Sequence, residues 1–327
     1  MRGAVEGSMV LDVEPNSWDR LLGKPVVIYT GSSFMMWYTA FASWAANSKG
    51  SIGLATSADG KVWSRDSRNP VLNSGGGWDA GGVYDPWVIY ENGTYKMWMT
   101  GTDSNSVESI GYATSTDGVQ WTMYSGNPIL TKGEPGSMDD QMVMRPVVVH
   151  SASGYVLYFA FLGTGDTGSH PSTATSNDGI HWVKSNKKLV LKSSGWDVTG
   201  PRPSSIALIG QNYVMAYYSV PASGANQYRY QIGLATSTDG VNWAPYSNNP
   251  VITFGSGWDG NDVYYPCLVP VGDNYYIYYI GDDNSGVTRI GLAIVSTIAT
   301  PENLLILFPV IVLICSSFCL RNRKFAL

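Results

Sequence analysis

The feature that most constrains this chain is an internal repeat of about sixty residues. The strings IGLATSADGKVW, IGYATSTDGVQW, STATSNDGIHW and IGLATSTDGVNW end at Trp63, Trp121, Trp182 and Trp243, spaced 58, 61 and 61 residues apart. A second marker keeps the same beat at Trp18-Asp19, Trp78-Asp79, Trp196-Asp197 and Trp258-Asp259, with Met138-Asp139 in the remaining slot. A third, NPVL or a variant, ends at Leu72, Leu130, Leu191 and Ile252. A period of this length that carries several short strands signals a propeller or a repeat array. The second unit reads most cleanly: PWVIYEN, an Asn92-Gly93 hairpin turn, TYKMWMTG, a polar loop, SIGYATS, a TDG turn and VQWTMY. Four antiparallel strands per unit make a propeller blade. The five markers therefore predict an all-β, five-bladed β-propeller over residues 1–298, with blades from about 18, 78, 138, 196 and 258.

The fifth unit lacks the DGxxW strand, and MVLDVEPN stands before Trp18 where NPVL stands elsewhere. Residues 9–13 are thus expected to supply the outer strand of the last blade, closing the ring and removing an open sheet edge. In the repeated SxDGxxW turns, Asp59, Asp117, Asp178 and Asp239 are expected to accept backbone hydrogen bonds locally, a structural role. The turn is similar to the Asp-box of sialidases with one residue missing from the spacing.

Composition agrees with short strands and tight turns. Aromatic residues make up 13% of the 327 residues, Gly numbers 37, and charged residues are only 14%, against a usual quarter or so. The net charge is −5 and the repeat region has no basic run, so no nucleic-acid partner is expected. Of the three cysteines, Cys267 stands alone in the repeat region, which excludes an internal disulfide or a cysteine zinc site there. Cys267 reads as a buried apolar residue. Neither a metal site nor a cofactor is predicted.

Strand direction separates two faces. The first and second strands join through short turns (ENGT, SASG, IGQN, VGDN), and so do the third and fourth through xDG. The second-to-third loops on the other face are longer and differ in every blade, the kind of place where a rigid scaffold carries function. On that face a proline opens each first strand, where proline is tolerated. The residue before it changes every time: Lys24, Asp85, Arg145, Arg202 and Tyr265. Four charged side chains of five, in a charge-poor chain, suggest a substrate-binding ring at the mouth of the central channel; inter-blade salt bridges are the alternative. Tyr84 and Tyr264 flank these positions and are candidates for stacking on sugar rings, as are Trp44 and Tyr228. His170, beside the third variable loop, is a candidate for binding hydroxyls or phosphate.

The segment YDPWVIYENGTYKMWMTG resembles the Asp-Pro blade motif of five-bladed glycoside hydrolases. These are the families numbered 32, 43, 62, 68 and 130, which cover invertases, levansucrases, arabinanases, xylosidases and mannoside phosphorylases. The resemblance runs over roughly residues 9–297. It implies an enzyme acting on glycosidic bonds of a carbohydrate, with Asp85 as a catalytic carboxylate. In the family-43 pattern an acid Glu sits near the corresponding Pro of a later blade; here that place reads Met144-Arg145. Because glycoside hydrolysis normally uses two carboxylates, Asp140 and Asp262 in the inter-blade connections are the candidates for the second, with Glu134 a further loop acid. Lys24, Arg145 and Arg202 around Asp85 would lower its pKa and favour an anionic ligand, which resembles the basic phosphate site of family-130 phosphorylases. A non-catalytic carbohydrate-binding or adhesive propeller is the competing reading.

Residues 304–320, LLILFPVIVLICSSFCL, form an uncharged 17-residue stretch preceded by Pro301-Glu302 and followed by Arg321, Arg323 and Lys324. That is the short end of a spanning helix. The order resembles prokaryotic PEP-CTERM-type sorting tails, so 299–327 is predicted as a C-terminal hydrophobic helix serving as a membrane or sorting segment, with the propeller at the cell surface. Met1–Ser8 has no apolar signal-peptide core, which leaves either an upstream start or a tail-anchored cytosolic propeller.

Overall fold

The computed structural model describes residues 7–14, 17–43, 45, 48–189, 191, 197, 202–209, 212–220 and 229–296. Among the described residues, twenty strands form five separate four-stranded antiparallel sheets. The chain opens with β1 (Ser8–Leu11). Blade 1 follows with β2 (Leu21–Tyr29), β3 (Phe34–Phe41), β4 (Ser51–Ser57) and β5 (Ser64–Arg65). Blade 2 has β6 (Gly82–Glu91), β7 (Thr94–Thr102), β8 (Glu108–Ser115) and β9 (Thr122–Met123). Blade 3 has β10 (Met142–Ser151), β11 (Gly154–Leu162), β12 (His170–Ser176) and β13 (Val183–Lys188). Blade 4 has β14 (Arg202–Ile209), β15 (Asn212–Ser219), β16 (Gln231–Ser237) and β17 (Ala244–Pro245). Blade 5 has β18 (Asp262–Val271), β19 (Asn274–Asp282) and β20 (Thr288–Val295), and β1 pairs antiparallel with β20 as its fourth strand. The ring is therefore closed by the N-terminal segment, one residue earlier than the sequence suggests and ending at Leu11 rather than Val13. The first strands β2, β6, β10, β14 and β18 pack on one another in that order and β18 returns to β2, so they form the hub.

The repeated residues build this scaffold. Asn92 and Gly93 both have positive φ (52° and 78°), as a two-residue hairpin turn of the Asn-Gly kind requires. In each xDG turn the aspartate accepts two backbone N–H bonds: Asp117 from Val119 and Gln120, Asp178 from Ile180 and His181, each at 2.8–2.9 Å. The marker Trp78 lies flat over Gly101 and Gly111, where any Cβ would fall 2.1 Å from its ring. Its neighbour Asp79 and the equivalent Asp19, Asp139, Asp197 and Asp259 are buried. Asp19 meets Arg65 at 2.6 Å, and Asp259 accepts from the Tyr279 hydroxyl at 2.9 Å.

Adjacent blades are clasped by one recurrent bond. The polar tip of a second-strand aromatic donates to the glycine carbonyl in the next blade's xDG turn. Trp37 reaches Gly118 at 2.8 Å, Trp98 reaches Gly179 at 2.8 Å, Tyr158 reaches Gly240 at 2.6 Å, and Tyr278 reaches back to Gly60 at 2.8 Å. At the fourth joint the position holds Ala216, and blade 5 has no xDG turn to receive a clasp. Cys267 is buried, accepts the Val27 N–H at 3.3 Å, and has its thiol pushed up to about 11 by burial.

The predicted segment 299–327 lies outside the described residues. Among the described residues no helix is long and apolar enough to cross a membrane.

Candidate active site

Each first strand is interrupted at its X-Pro pair. The ladder register shifts between Leu22 and Pro25, Tyr84 and Trp87, Met144 and Val147, Pro203 and Ser205, and Tyr264 and Cys267. The proline removes a ladder donor, and the local bulge that results re-aims the preceding side chain. Asp85, Arg145 and Tyr265 go further, with φ of 51°, 58° and 52°. Left-handed backbone in a non-glycine residue stores roughly 1–3 kcal/mol and gathers at functional sites.

A cavity of about 610 Å³ gathers several of these residues, a size in the usual range for small-molecule sites. Lys24, Tyr84, Asp85, Arg145, Tyr264 and Tyr265 all line it, together with Phe41 and residues of the variable loops of blades 1 and 2. Six of the ten site residues expected from the sequence are thus in one place. Arg202 and His170 line a narrow recess that shares Arg145 with the cavity. The Arg202 guanidinium stacks over Tyr230 and Tyr218, at 5.3 and 5.9 Å from their ring centres. His170 Nε2 lies 3.2 Å from Asp166 Oδ1.

Asp140 and Asp262 do not line the cavity. Asp140 accepts from the Gly136 and Thr164 backbone N–H groups at 3.0 and 2.7 Å, and these bonds, Gly136 first, hold its carboxyl down at about 2. Such a group stays ionised and serves its loop. Asp262 begins β18 and accepts from the Tyr230 amide and, at 2.9 Å, from Asn261. Glu134 is exposed in its loop. Trp44 and Tyr228 lie outside the described residues.

The carboxylate that does join Asp85 is Glu108, the first residue of β8. Pairing of β7 with β8 sets Thr102 opposite Glu108, and pairing of β6 with β7 sets Thr102 opposite Gly82 and Thr100 opposite Tyr84. The two acids therefore share a blade. Burial, with the Asp85 charge as the next cause, pushes Glu108 up to about 7. The letters TDSNSVE mark a variable loop on the functional face, and that was the available signal; no proline marks its glutamate.

The cations act differently from what their count suggests. Lys24 is 1% exposed; its ammonium crosses the hub to donate to the Pro146 carbonyl at 3.0 Å and lies 5.6 Å above the Trp87 ring. Burial lowers it to about 8. The Arg145 Nε is 4.0 Å from Asp85 Oδ2. Both cations favour the Asp85 carboxylate, yet its burial outweighs them, and the group stands above its ordinary range rather than below it. Arg202 is not among the groups acting on it. Phe41 and Tyr84 stack at 5.8 Å and 25°, and Tyr264 and Tyr265 present aromatic surface to the same cavity. Among the described residues no group of three or more His, Cys, Asp or Glu side chains is placed to hold a metal ion.

Comparison with known proteins follows the same direction. Two uncharacterised proteins of Mycobacterium tuberculosis are 30% identical over 185 residues, 52% of this chain and 58% of theirs. The chain thus spans little more than half the length of these curated relatives. A 1,2-β-oligomannan phosphorylase of Thermoanaerobacter sp. is 25% identical over 242 residues, 69% of this chain and 74% of that protein. Among solved structures, a glycosyl hydrolase from Bacteroides ovatus superposes with a TM-score of 0.67 at 18% identity, covering 90% of this chain and 94% of the other. A structure described as showing that family-130 mannoside phosphorylases include glycoside hydrolases targeting β-1,2-mannosidic linkages in Candida mannan superposes at 0.66 and 17% identity, covering 94% and 97%. These two establish a common fold. The model of the β-1,4-mannooligosaccharide phosphorylase family matches residues 16–199, more than half of the sequence, and the chain belongs to that family, number 130 of the glycoside hydrolases.

Proposed function

We propose that this protein cleaves the β-mannosidic bonds of an oligosaccharide in the cavity lined by Asp85 and Glu108. The reading rests on one observation above all: two carboxyl groups with different surroundings share one cavity, and one of them has its pKa near neutrality. Glu108, pushed up to about 7, is protonated for much of its time at neutral pH and is the acid. It gives its proton to the glycosidic oxygen as the bond to the anomeric carbon breaks. Asp85, whose carboxylate form Lys24 and Arg145 favour against its burial, takes a proton from the attacking water, whose oxygen forms the new bond to that carbon. Burial raises both carboxyl groups, and the two differ in their cations: Arg145 and Lys24 oppose the rise at Asp85, and Arg145 opposes it at Glu108. The stacked Phe41 and Tyr84 and the facing Tyr264 and Tyr265 supply apolar surface for the C–H faces of sugar rings. In this reading Asp85 stands at the mouth of the propeller channel.

Phosphorolysis is the second reading, and a specific observation favours it. Lys24 and Arg145 line the cavity that holds the acids, so a phosphate oxygen could replace water as the attacking atom. Family membership and the similarity to a 1,2-β-oligomannan phosphorylase support both readings. A place at the cell surface, with 304–320 as a membrane tether, belongs to the proposal and rests on the tail's sequence alone.

The test is release of mannose or mannose 1-phosphate from β-1,2- and β-1,4-mannooligosaccharides, with and without phosphate, by the wild type, Asp85→Asn and Glu108→Gln. Cleavage by the wild type, lost in both variants, is expected. Its rate should fall as pH rises through about 7, where Glu108 gives up its proton. Binding without turnover, unaffected by either substitution, would replace the enzyme reading with that of a carbohydrate-binding propeller.

A further inference from the structure

Two of the five pre-proline residues are braced by a threonine hydroxyl from the preceding blade. The Asp85 N–H donates to the Thr39 hydroxyl at 2.9 Å, and the Arg145 N–H donates to the Thr100 hydroxyl at 2.9 Å. Each threonine belongs to the second strand of the preceding blade, two residues beyond the clasp residue (Trp37 or Trp98), and each is buried, at 2% and 0% exposure. In blades 3, 4 and 5 the same place holds Ala160, Tyr218 and Ile280. Across those joints stand Arg202, Tyr265 and Lys24. Arg202 and Lys24 are not among the residues with positive φ; Tyr265 is, with the Tyr218 ring packed 5.2 Å from its own.

The short hydroxyl thus occurs at the two joints that carry the Asp85–Arg145 pair. A left-handed residue before proline leaves its N–H out of the sheet ladder, and a buried N–H without a partner is costly. The hydroxyl satisfies that donor and fixes the peptide from which the side chain departs.

We propose that Thr39 and Thr100 are positioning residues: their hydroxyls hold the Asp85 and Arg145 backbones in the left-handed conformation that brings carboxylate and guanidinium together against Glu108. The proposal rests on the reading of Asp85 and Glu108 as the working acids, and it deepens that reading by tying each side of the pair to the neighbouring blade. Thr39 lines the cavity itself, whereas Thr100 acts only through Arg145.

The two braces have opposite electrostatic consequences. Asp85 raises Glu108 and Arg145 lowers it. Loosening Asp85 should therefore ease Glu108 downward, and loosening Arg145 should send it upward. General loss of packing has no reason to do both.

The experiment is a carbon-13 NMR titration of the Glu108 carboxyl in the full chain, for the wild type, Thr39→Val, Thr39→Ser, Thr100→Val and Thr100→Ser. The midpoint is expected to move down by about half a pH unit in Thr39→Val and up by a similar amount in Thr100→Val, with both serine variants near the wild type. In mannoside cleavage the valine variants should lose roughly 10- to 100-fold in kcat with little change in KM, as a displaced reacting group does, and serine should restore most of it. Shifts in the same direction, no shift, or serine variants as impaired as the valine ones would overturn the proposal. Opposed shifts in a chain that cleaves no mannoside would keep the braces and remove the activity assigned to the site.

Discussion

Glu108→Gln should stabilise the folded chain at alkaline pH while abolishing cleavage. Burial, followed by repulsion from Asp85, raises the Glu108 carboxyl from an ordinary 4.5 to about 7. The folded state then binds this proton more tightly than the unfolded chain does. Stability therefore declines as pH climbs from about 4.5, and the loss is complete above about 7. At about 1.4 kcal/mol per pH unit, that interval corresponds to roughly 3 kcal/mol. Glutamine has nearly the same shape and cannot ionise, so the variant should escape most of this penalty. Urea unfolding at pH 8 should show a gain of about 2–3 kcal/mol over the wild type, shrinking toward zero at pH 4. A thermal melt at pH 8 should rise by roughly 5 °C or more. An equal stability difference at both pH values, or a loss at pH 8, would mean that the Glu108 carboxylate is not confined against Asp85, and its role as the acid would go with it.

Three further outcomes test other parts of the molecule. Lys24→Met removes a charge that favours the Asp85 carboxylate, so the acid limb of the pH–rate profile should move to higher pH; an unmoved limb would separate Lys24 from Asp85. Tyr158→Phe and Tyr278→Phe each delete one inter-blade clasp and should cost about 1 kcal/mol apiece in chemical denaturation, with no effect on KM. Gly111→Ala drives a methyl into the Trp78 ring, 2.1 Å from the ideal Cβ, and should cost roughly 2 kcal/mol or more; a neutral result would show that the tryptophan marker can step aside.

The fold was legible because its markers are local. The xDG turns, the Asn-Gly hairpin and the tryptophans that sit over glycine repeat with the blade, and each is dictated by turn chemistry or close approach within one unit. Asp85 was legible for a similar reason, since proline labels the one residue that leaves each hub strand. Glu108 was not, because its place depends on pairing across two hairpin partners, which sets Thr102 between Gly82 and Glu108. Asp140 and Asp262 look equivalent to it as letters in a loop, and only the backbone amides that claim their carboxylates tell them apart. The charge balance at Asp85 was misjudged because counting cations omits burial, which here is the larger effect. The threonine braces were invisible as motifs, since the hydroxyl appears in two blades of five and gains meaning only through the peptide it meets in the next sheet.

The missing clasp between blades 4 and 5 makes that joint mechanically unlike its neighbours. Near the hub, the Leu268 N–H still donates to the Ser205 hydroxyl at 3.0 Å, so the inner strands remain tied. Farther out, Ala216 has no polar tip and no xDG turn faces it, yet it is buried in the apolar cluster that includes Val263 and Ile277 of blade 5. Other bonds hold the same two blades: the Tyr230 N–H donates to Asp262, the Val263 N–H donates to the Tyr230 carbonyl at 3.2 Å, and Arg229 donates to the Gly260 carbonyl at 3.1 Å, all close in sequence to Tyr264 and Tyr265. Blades 4 and 5, which carry one aromatic wall of the cavity, are thus joined by apolar packing and main-chain bonds in place of a side-chain clasp, while Asp85 and Glu108 are both mounted on blade 2.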